Sequence, residues 1–424
     1  MNNKDVAAMC EQNNEKTALV PRLRFPEFRG AGEWATEPLS KIARITQGGT
    51  PSTSVPEYWN GEIQWITPAE MGKDVSPYVS RTIRTLTQNG LQNCSSELLP
   101  EGSIILSTRA PIGHLAINTQ PMAINQGCRG IVAGAGYESK FIYYYLGNNR
   151  SRLEDIGAGN TFKELSGSAL REFAISIPKS DEQKKIAEFL SSLDDVITAE
   201  SRKLDALKIH KNGLLQQLFP CEGETVPRLR FPEFRDAEAW KEVELSTRID
   251  LISGLHLAPD EYADAGDVPY FTGPSDYAND LALVGKWTSH SANSGRAGDI
   301  LITVKGSGVG ELLYLELDEV AMGRQLMAVR PRGVHGEFVF HFLATQRQRL
   351  IALASGNLIP GLSRGDILSL TVSVPEREEQ QAIADCLSAL DDVIAVQSQK
   401  IDGLQAHKKG LMQRLFPALS EVQE

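Results

Sequence analysis

Cysteine is scarce and scattered. The 424 residues hold five (Cys10, Cys94, Cys128, Cys221, Cys386), an odd number with no CxxC. Neither a disulfide framework nor a zinc site is expected, and a reducing cytoplasm suits the chain. The seven histidines are equally dispersed, with no HExxH and no His/Cys cluster, so no metal is expected. No apolar run approaches the ~18–20 residues that span a bilayer. The opening MNNKDVAAMCEQNNEK lacks the apolar core of a secretory signal, and residues 1–19 read as a disordered leader.

Positive charge is also short. Against 54 Asp+Glu stand 43 Lys+Arg, a net charge of -11. Nucleic-acid readers usually carry a basic face, but a net sum is silent about where the basic groups sit. Residues 36–175 hold 12 basic and 12 acidic side chains, so that stretch is neutral. Much of the acid falls in 242–280, around Asp260, Glu261, Asp264 and Asp267. A neutral reader would bind DNA weakly alone and would need partners to supply positive charge. At 41% hydrophobic and 23% charged residues, the chain is ordinary globular material, long enough for several domains.

A duplication organises the sequence. VPRLRFPEFR occurs at Val20–Arg29 and again, letter for letter, at Val226–Arg235. Residues 175–220 and 372–417 form a second pair, with 25 identities in 46 aligned positions. Both copies read P-x3-EQ-x2-IA-x2-LS-x-LDDVI and finish HK-x-GL-x-Q-x-LFP. Between the repeats lie two unlike segments, roughly 36–175 and 242–372, with faint echoes. GSIILSTRAPIG (102–113) answers GDILITVKGSGVG (298–310), Gln126 answers Gln325, and GNTFKELSG (159–167) answers GNLIPGLSR (356–364). Two copies of one fold with different recognition surfaces are expected.

The second repeat carries two interleaved sevens of apolar residues. In the first copy they are Ile186, Leu193, Leu207, Leu214, broken by Glu200, and Leu190, Ile197, Leu204, Leu218, broken by Lys211. In the second they are Ile383, Leu390, Leu404, Leu411, broken by Gln397, and Leu387, Ile394, Ile401, Leu415, broken by Lys408. An a/d pattern sustained over more than four heptads is the coiled-coil signal. Each helix is expected to run about 33 residues, roughly 50 Å. The bland alternative is that each packs on its own globular domain. Matching stripes favour pairing, antiparallel if the duplication forms a pseudo-twofold. Polar exceptions at matching heights would fix register and partner choice.

The unlike segments show short strand-like runs punctuated by turn residues. These are 42–46, 63–67, 103–107, 115–117 and 129–133, with a helix from 141. In the other segment they are 249–253, 269–272, 299–304, 312–317 and 328–330, with a helix near 338–350. Each reads as a mixed α/β domain with a curved antiparallel sheet.

Candidate DNA contacts follow from side-chain chemistry. Gln47, Gly48, Gly49, Thr50 and Ser52 form a Gly/Ser/Thr loop whose N–H groups and hydroxyls suit phosphate oxygens. A bare turn explains them equally well. Thr67 suits a base or phosphate, while neighbouring Trp65 fits a core as well as an interface. Thr108 and Arg109 follow a strand, and arginine can grip guanine O6/N7 with two bonds. Asn125 and Gln126 can read adenine in the same bidentate manner, with Arg129 nearby. Thr303, Lys305, Ser307, Arg324 and Gln325 are the second-segment candidates, and Tyr270 and Thr272 match Trp65 and Thr67. Taken singly, each polar residue also fits a solvated surface or turn. KGSGVGE (305–311) imitates a nucleotide loop. A dinucleotide fingerprint needs a following helix, and ELLYLEL reads as a strand.

On the duplicated EQ/IA/LDDVI blocks, the twice-seen FPEF and the two Gly-flanked strand runs, the chain resembles the specificity (S) subunits of type I restriction-modification systems. The resemblance covers nearly everything after the leader. It implies an α+β fold: two mixed α/β target-recognition domains separated by two long antiparallel coiled-coil helices. Its divisions would be target-recognition domains at 20–175 and 226–373 and conserved helical regions at 176–225 and 374–424. It further implies that each domain reads half of a bipartite, asymmetric site on double-stranded DNA. The helices would dock two methyltransferase (M) subunits that methylate adenine N6 with S-adenosylmethionine. Restriction (R) subunits, using ATP and Mg, join in some systems.

No [DN]PP[FY] methyltransferase motif, Walker loop or nuclease carboxylate cluster occurs, so no catalysis, cofactor or membrane is expected of this chain. The resemblance leaves a methylation-only or fused-nuclease system open. A non-DNA coiled-coil adaptor and a self-sufficient methyltransferase are the readings from other classes.

Overall fold

A computed structural model describes residues 19–417, apart from 73–75, 110, 159–163, 291–292 and 357–360. The expected leader before residue 19 and much of the 159–167 and 356–364 echo lie outside the described residues. The chain divides into two compact units, Met1–Lys203 with Gln397–Glu424, and Leu204–Val396. The principal helices are α1 (Ser139–Asn148), α2 (Ser180–Leu218), α3 (Gly336–Thr345) and α4 (Arg377–Leu415). Among the described residues, no helix is long and apolar enough to cross a membrane.

The first unit is built on β1 (Ala43–Gln47), β2 (Trp59–Ile66), β3 (Ile104–Ser107), β4 (Leu115–Asn118), β5 (Met122–Ile124) and β6 (Cys128–Ala133). One sheet has the order β1-β6-β3-β4 and ends on Tyr78–Val79. Its central strand β3 is buried along its whole length, as a continuous apolar run requires. A second sheet joins Thr85–Leu86, β2 and β5. The single curved antiparallel sheet expected from sequence is therefore corrected. Among the described residues there are these two sheets and a separate antiparallel pair, Ala35–Pro38 with Ala174–Ile177, and β2 and β5 run parallel, with Trp65 opposite Ala123. Parallel pairing needs a long crossover, and the strands between β2 and β5 supply it. Phe141, Tyr144 and Tyr145 of α1 are buried over the larger sheet's core.

The second unit repeats the plan. Its strands are β7 (Ile249–Ser253), β8 (Val268–Phe271), β9 (Ile300–Thr303), β10 (Leu312–Tyr314), β11 (Glu319–Met322) and β12 (Leu326–Pro331). One sheet has the order β7-β12-β9-β10, a second joins Trp287–Thr288, β8, β11 and Ser294–Arg296, and Lys241–Glu244 pairs with Thr371–Val374. β8 and β11 are again the parallel pair. The helix expected near 338–350 is two, α3 followed by Arg347–Gly356.

The long helices run 39 residues each, longer than expected and about 58 Å at 1.5 Å per residue. Both units draw on both helices. In the first, Asp194 of α2 accepts from Lys408 of α4, and Glu200 accepts from Gln397 (2.6 Å) and Lys400. Later residues of α2 thus meet earlier residues of α4, an antiparallel pairing. In the second unit Lys211 of α2 donates to Asp391 of α4 at 2.5 and 2.6 Å. Every polar break in the stripes (Glu200, Lys211, Gln397, Lys408) thus has a partner on the opposing helix.

The apolar stripes divide between the helix pair and the globular cores. Ile197 and Ile401 are buried, whereas Leu204, Leu207, Leu390, Ile394 and Leu404 are only half-buried. Leu190 belongs to the first globular core, with Leu193 and Leu411 against it; Leu387 belongs to the second, with Leu214 against it. The helix ends pack on the heads because the heads leave apolar faces there to cover.

The repeated LFP ends explain this packing. Phe416 meets Trp34, Phe141 and Tyr145 at ring distances of 6.3, 5.6 and 5.6 Å in the first core. Phe219 meets Trp240, Phe338 and Phe342 at 6.4, 5.1 and 6.4 Å in the second. The repeated glutamines of the EQ motif work alike. Gln183 accepts from the Glu138 N–H that begins α1 and donates to the Pro178 carbonyl. Gln380 accepts from the His335 N–H that begins α3 and donates to the Pro375 carbonyl. Each satisfies an orphan amide at a helix start.

Candidate nucleic-acid interface

In the first unit, the loop after β1 is held from beneath. Gly48 and Gly49 are buried. A Cβ on Gly48 would collide with the Asn125 backbone, which accounts for the glycine. The Gly49 N–H already donates to the Ile124 carbonyl at 2.9 Å. The Gly49 N–H is thus spent inside the fold, a correction to its reading as a phosphate donor, and both glycines allow close backbone packing. Trp65 Nε1 donates to the Gly49 carbonyl (2.9 Å) and Trp59 Nε1 to the Ser52 carbonyl (3.1 Å). The two indoles meet edge to face at 5.2 Å, so Trp65 is core. Gln47 and Ser52 are exposed.

Thr50 ties this loop to the turn before β6. Its hydroxyl donates to Gln126 Oε1 and accepts from Asn125 Nδ2 at 2.9 Å. Asn125 Oδ1 accepts the Gly127 N–H at 2.8 Å. Asn125 thus shapes the turn with both ends of its amide, while Gln126 is left exposed. Thr67 spends its N–H and hydroxyl on Glu70 Oε2, at 3.0 and 2.8 Å, as a helix cap. Thr108 is fully buried and donates to the Gly127 carbonyl, so its candidacy falls.

Three arginines gather beside this turn. Arg109 is exposed and pairs with Glu164 at 3.1 Å. Arg129, half-buried, donates to the carbonyls of Gln126 and Cys128 at 3.2 and 3.1 Å. Burial lowers the Arg129 pKa from its ordinary value, Glu164 opposes that, and the charges of Arg109 and Arg171 add to it. Three guanidinium groups around one carboxylate leave a local positive excess inside a chain that is acidic overall. Arg171 carried no sequence signal. It ends a short helix (Gly167–Glu172) with too few residues to show a period.

The second unit corrects the equivalences read from letters. The Thr108 N–H donates to the Gly127 carbonyl, and the Val304 N–H to the Gln325 carbonyl. Val304 therefore stands where Thr108 does, Gln325 where Gly127 does, and Arg324 where Gln126 does. Thr303 answers Ser107, since each accepts the N–H of the hairpin glycine, Gly310 or Gly113. It is fully buried beside the Tyr277 hydroxyl at 3.0 Å, so it too is no surface contact. Thr272 gives its N–H and hydroxyl to Asp276 at 2.7 and 2.6 Å, as Thr67 does to Glu70. Lys305, Ser307, Arg324 and Gln325 are exposed. KGSGVG turns between the paired strands β9 and β10, with Gly310 at φ +84 matching Gly113 at φ +83. No helix follows it, in keeping with a hairpin rather than a nucleotide loop.

A sequence profile for the type I restriction modification DNA specificity domain matches residues 31–208 and again 237–406. The type I restriction enzyme MjaIX specificity subunit of Methanocaldococcus jannaschii is 27% identical over 414 residues, 92% of this chain and 94% of that one. The EcoprrI specificity subunit of Escherichia coli is 24% identical over 367 residues, 85% and 87% of the two chains. The crystal structure of the type I restriction-modification S subunit from M. genitalium superposes with a TM-score of 0.61 at 16% identity, covering 95% of this chain and 100% of that one. A structure solved for the assembly and conformational transition of the type I R-M system gives 0.54 at 18%, covering 91% and 98%. At those identities the structural likeness speaks to the fold. Since the profile matches most of the chain and falls once on each half, this protein belongs to the type I restriction modification DNA specificity family.

Proposed function

We propose that the chain is the DNA sequence-recognition subunit of a type I restriction-modification complex and performs no bond chemistry itself. Each target-recognition domain (20–175 and 226–373) reads one half of a bipartite, asymmetric site on double-stranded DNA. The helical regions (176–225 and 374–424) set the spacer and dock two M subunits. Those partners bring S-adenosylmethionine and the positive surface this acidic chain lacks, and work in the cytoplasm. R subunits with ATP and Mg join where the system cleaves.

One observation carries the reading: the two heads share a framework and differ at matched exposed positions. Gln126 and Arg324 occupy the same turn, and Arg109 and Lys305 the same strand exit. Glutamine suits adenine and arginine suits guanine in the major groove. One framework with two chemistries is what an asymmetric site demands. Gln47, Ser52, Arg109, Gln126, Arg129, Lys305, Ser307, Arg324 and Gln325 are the proposed contacts, with Thr50, Thr67, Asn125 and Thr272 positioning them. The pairs Asp194–Lys408 and Asp391–Lys211 join equivalent residues of the duplication with roles exchanged, which supports a pseudo-twofold repeat.

Mapping N6-methyladenine in cells with and without this gene tests the reading. A two-part motif with a fixed gap should disappear on deletion. An unchanged methylation map, together with a purified complex that retains no sequence-selective DNA, would refute it in favour of an adaptor.

A further inference from the structure

The most exposed large apolar side chain among the described residues is Ile83, at 83%. It stands in a loop that is tightly held. The Ile83 N–H donates to Glu70 Oε1 at 2.7 Å, and Glu70 Oε2 is the atom that caps Thr67. Thr82 donates its N–H to Gln64 Oε1 (2.8 Å) and its hydroxyl to the Arg84 carbonyl (2.7 Å), while the Trp65 N–H donates to its oxygen (3.0 Å). Water-exposed isoleucine on a rigid loop gains nothing within this chain, and its ordering entropy is already lost, which favours binding.

The surroundings indicate what it meets. Arg81 and Arg84 flank it, both exposed. The Arg84 guanidinium lies 3.5 Å over the Trp59 ring, part of the indole pair that supports the loop after β1. Residues 76–96 contain no Asp or Glu at all, in a chain with 54. An apolar tip between two cations, on an acid-free segment, complements a polyanion with apolar groups recessed between its charges. A groove of duplex DNA offers that: phosphates at the edges, thymine methyls and base steps within. Pro68, beside Glu70, packs close to Gly127, which adjoins Gln126, so the loop is continuous with the proposed reading surface.

The second unit has only a partial counterpart. Asp276 caps Thr272 and holds Lys286 at 3.0 Å, and the segment just before Lys286 exposes Leu283 at 73%. The Leu281–Leu283 turn is itself capped by Asp280, which accepts the Ala282 N–H at 2.9 Å, so an acid rather than a cation precedes this tip.

We propose that Ile83 enters a groove of the duplex at the first domain's half-site, with Arg81 and Arg84 on the flanking phosphates. This rests on the DNA-reading function proposed above. The test uses the full chain assembled with its methyltransferase subunits and fluorescent duplexes carrying the methylation-mapped site or a scrambled one. Ile83→Ala should weaken binding to the mapped site about fivefold and leave scrambled-site binding and the salt slope unchanged. It should alter the penalty for base changes in one half-site only. Arg81→Ala should lower the salt slope by about one. Unchanged affinity in Ile83→Ala overturns the inference while the wild type's site preference keeps the reading intact. So does loss of a co-purifying subunit with DNA binding retained, which would make the tip a protein contact. A wild-type complex with no preference between the duplexes overturns both. Ile83 lies on the surface, so an unchanged melting curve verifies the variant's fold.

Discussion

Arg24 and Glu182 meet through two parallel hydrogen bonds of 2.7 Å, with both side chains almost wholly buried. The arginine comes from the repeated RLRFPEF lead-in and the glutamate from the repeated EQ motif. Their duplicates, Arg230 and Glu379, form the same pair at 2.7 Å. The remaining donors go to backbone: Arg24 to the Gly32 carbonyl, and Arg230 to those of Ala237 and Glu238. Two motifs far apart in sequence are thus one clamp, locking the chain entering each head to the helix leaving it.

Breaking this clamp strands a buried charge. Glu182→Ala should destabilise the first unit by about 3–5 kcal/mol, read as a lower denaturant midpoint. The double variant Arg24→Met/Glu182→Leu should recover much of that loss, because neither charge remains. If the double variant is as unstable as the single, the clamp is not the origin of the effect.

The base-reading candidates separate by half-site. Arg109→Ala should lose about 1–3 kcal/mol of discrimination at one half-site and none at the other, measured by competition between duplexes with single base changes. Equal loss at both halves would mean that Arg109 acts through folding or assembly. Gln126→Arg, which copies the matched Arg324, should shift the first half-site's preference toward guanine.

His341 makes the second unit acid-sensitive. It is fully buried, with Nε2 3.3 Å from the Ser388 hydroxyl, which itself donates to Glu337 at 2.9 Å. Burial, then the Lys211 charge, hold its pKa down at about 3, against 6.5 unperturbed. Between those values the unfolded chain binds a proton that the folded chain refuses. Its stabilising contribution is complete above about pH 6.5 and is lost as the pH falls toward 3. Tyr144, at the matching position, donates to Asp194 at 2.7 Å and stays neutral throughout that range. Denaturation midpoints at pH 7.5 and 4.5 should therefore fall less in His341→Gln than in wild type. An equal fall would assign the sensitivity elsewhere.

The helices should behave as a spacer. Removing one heptad from each, residues 202–208 and 399–405, spares Asp194, Lys211, Asp391 and Lys408 and keeps the apolar phase. Methylation mapping should then show both half-sites intact with an altered gap between them. An unaltered gap would contradict the separator role.

Much of this was legible beforehand, for particular reasons. Strand β9 is a short apolar run beside a glycine turn, and such runs can hardly be anything else in a mixed domain. The polar breaks at Glu200, Lys211, Gln397 and Lys408 stood out against the sevens because charge within an apolar stripe needs a partner. What misled was surface chemistry. Thr108 and Thr303 carry hydroxyls that could touch DNA, but a hydroxyl serves a buried carbonyl or a turn equally well. Nothing local distinguishes those uses. Arg171 and Ile83 were missed because neither a short helix nor an isolated loop has periodicity to mark it.

The sequence alone determined the duplication, the long helices, their polar breaks and the family, because identical or periodic residues at fixed spacing survive without coordinates. Only the tertiary structure decided that Arg324 stands where Gln126 does, that each LFP phenylalanine closes one head's core, and that Arg24 belongs to Glu182. Those facts depend on hydrogen bonds and packing between segments distant along the chain, and no local pattern of residues records which distant segment will arrive.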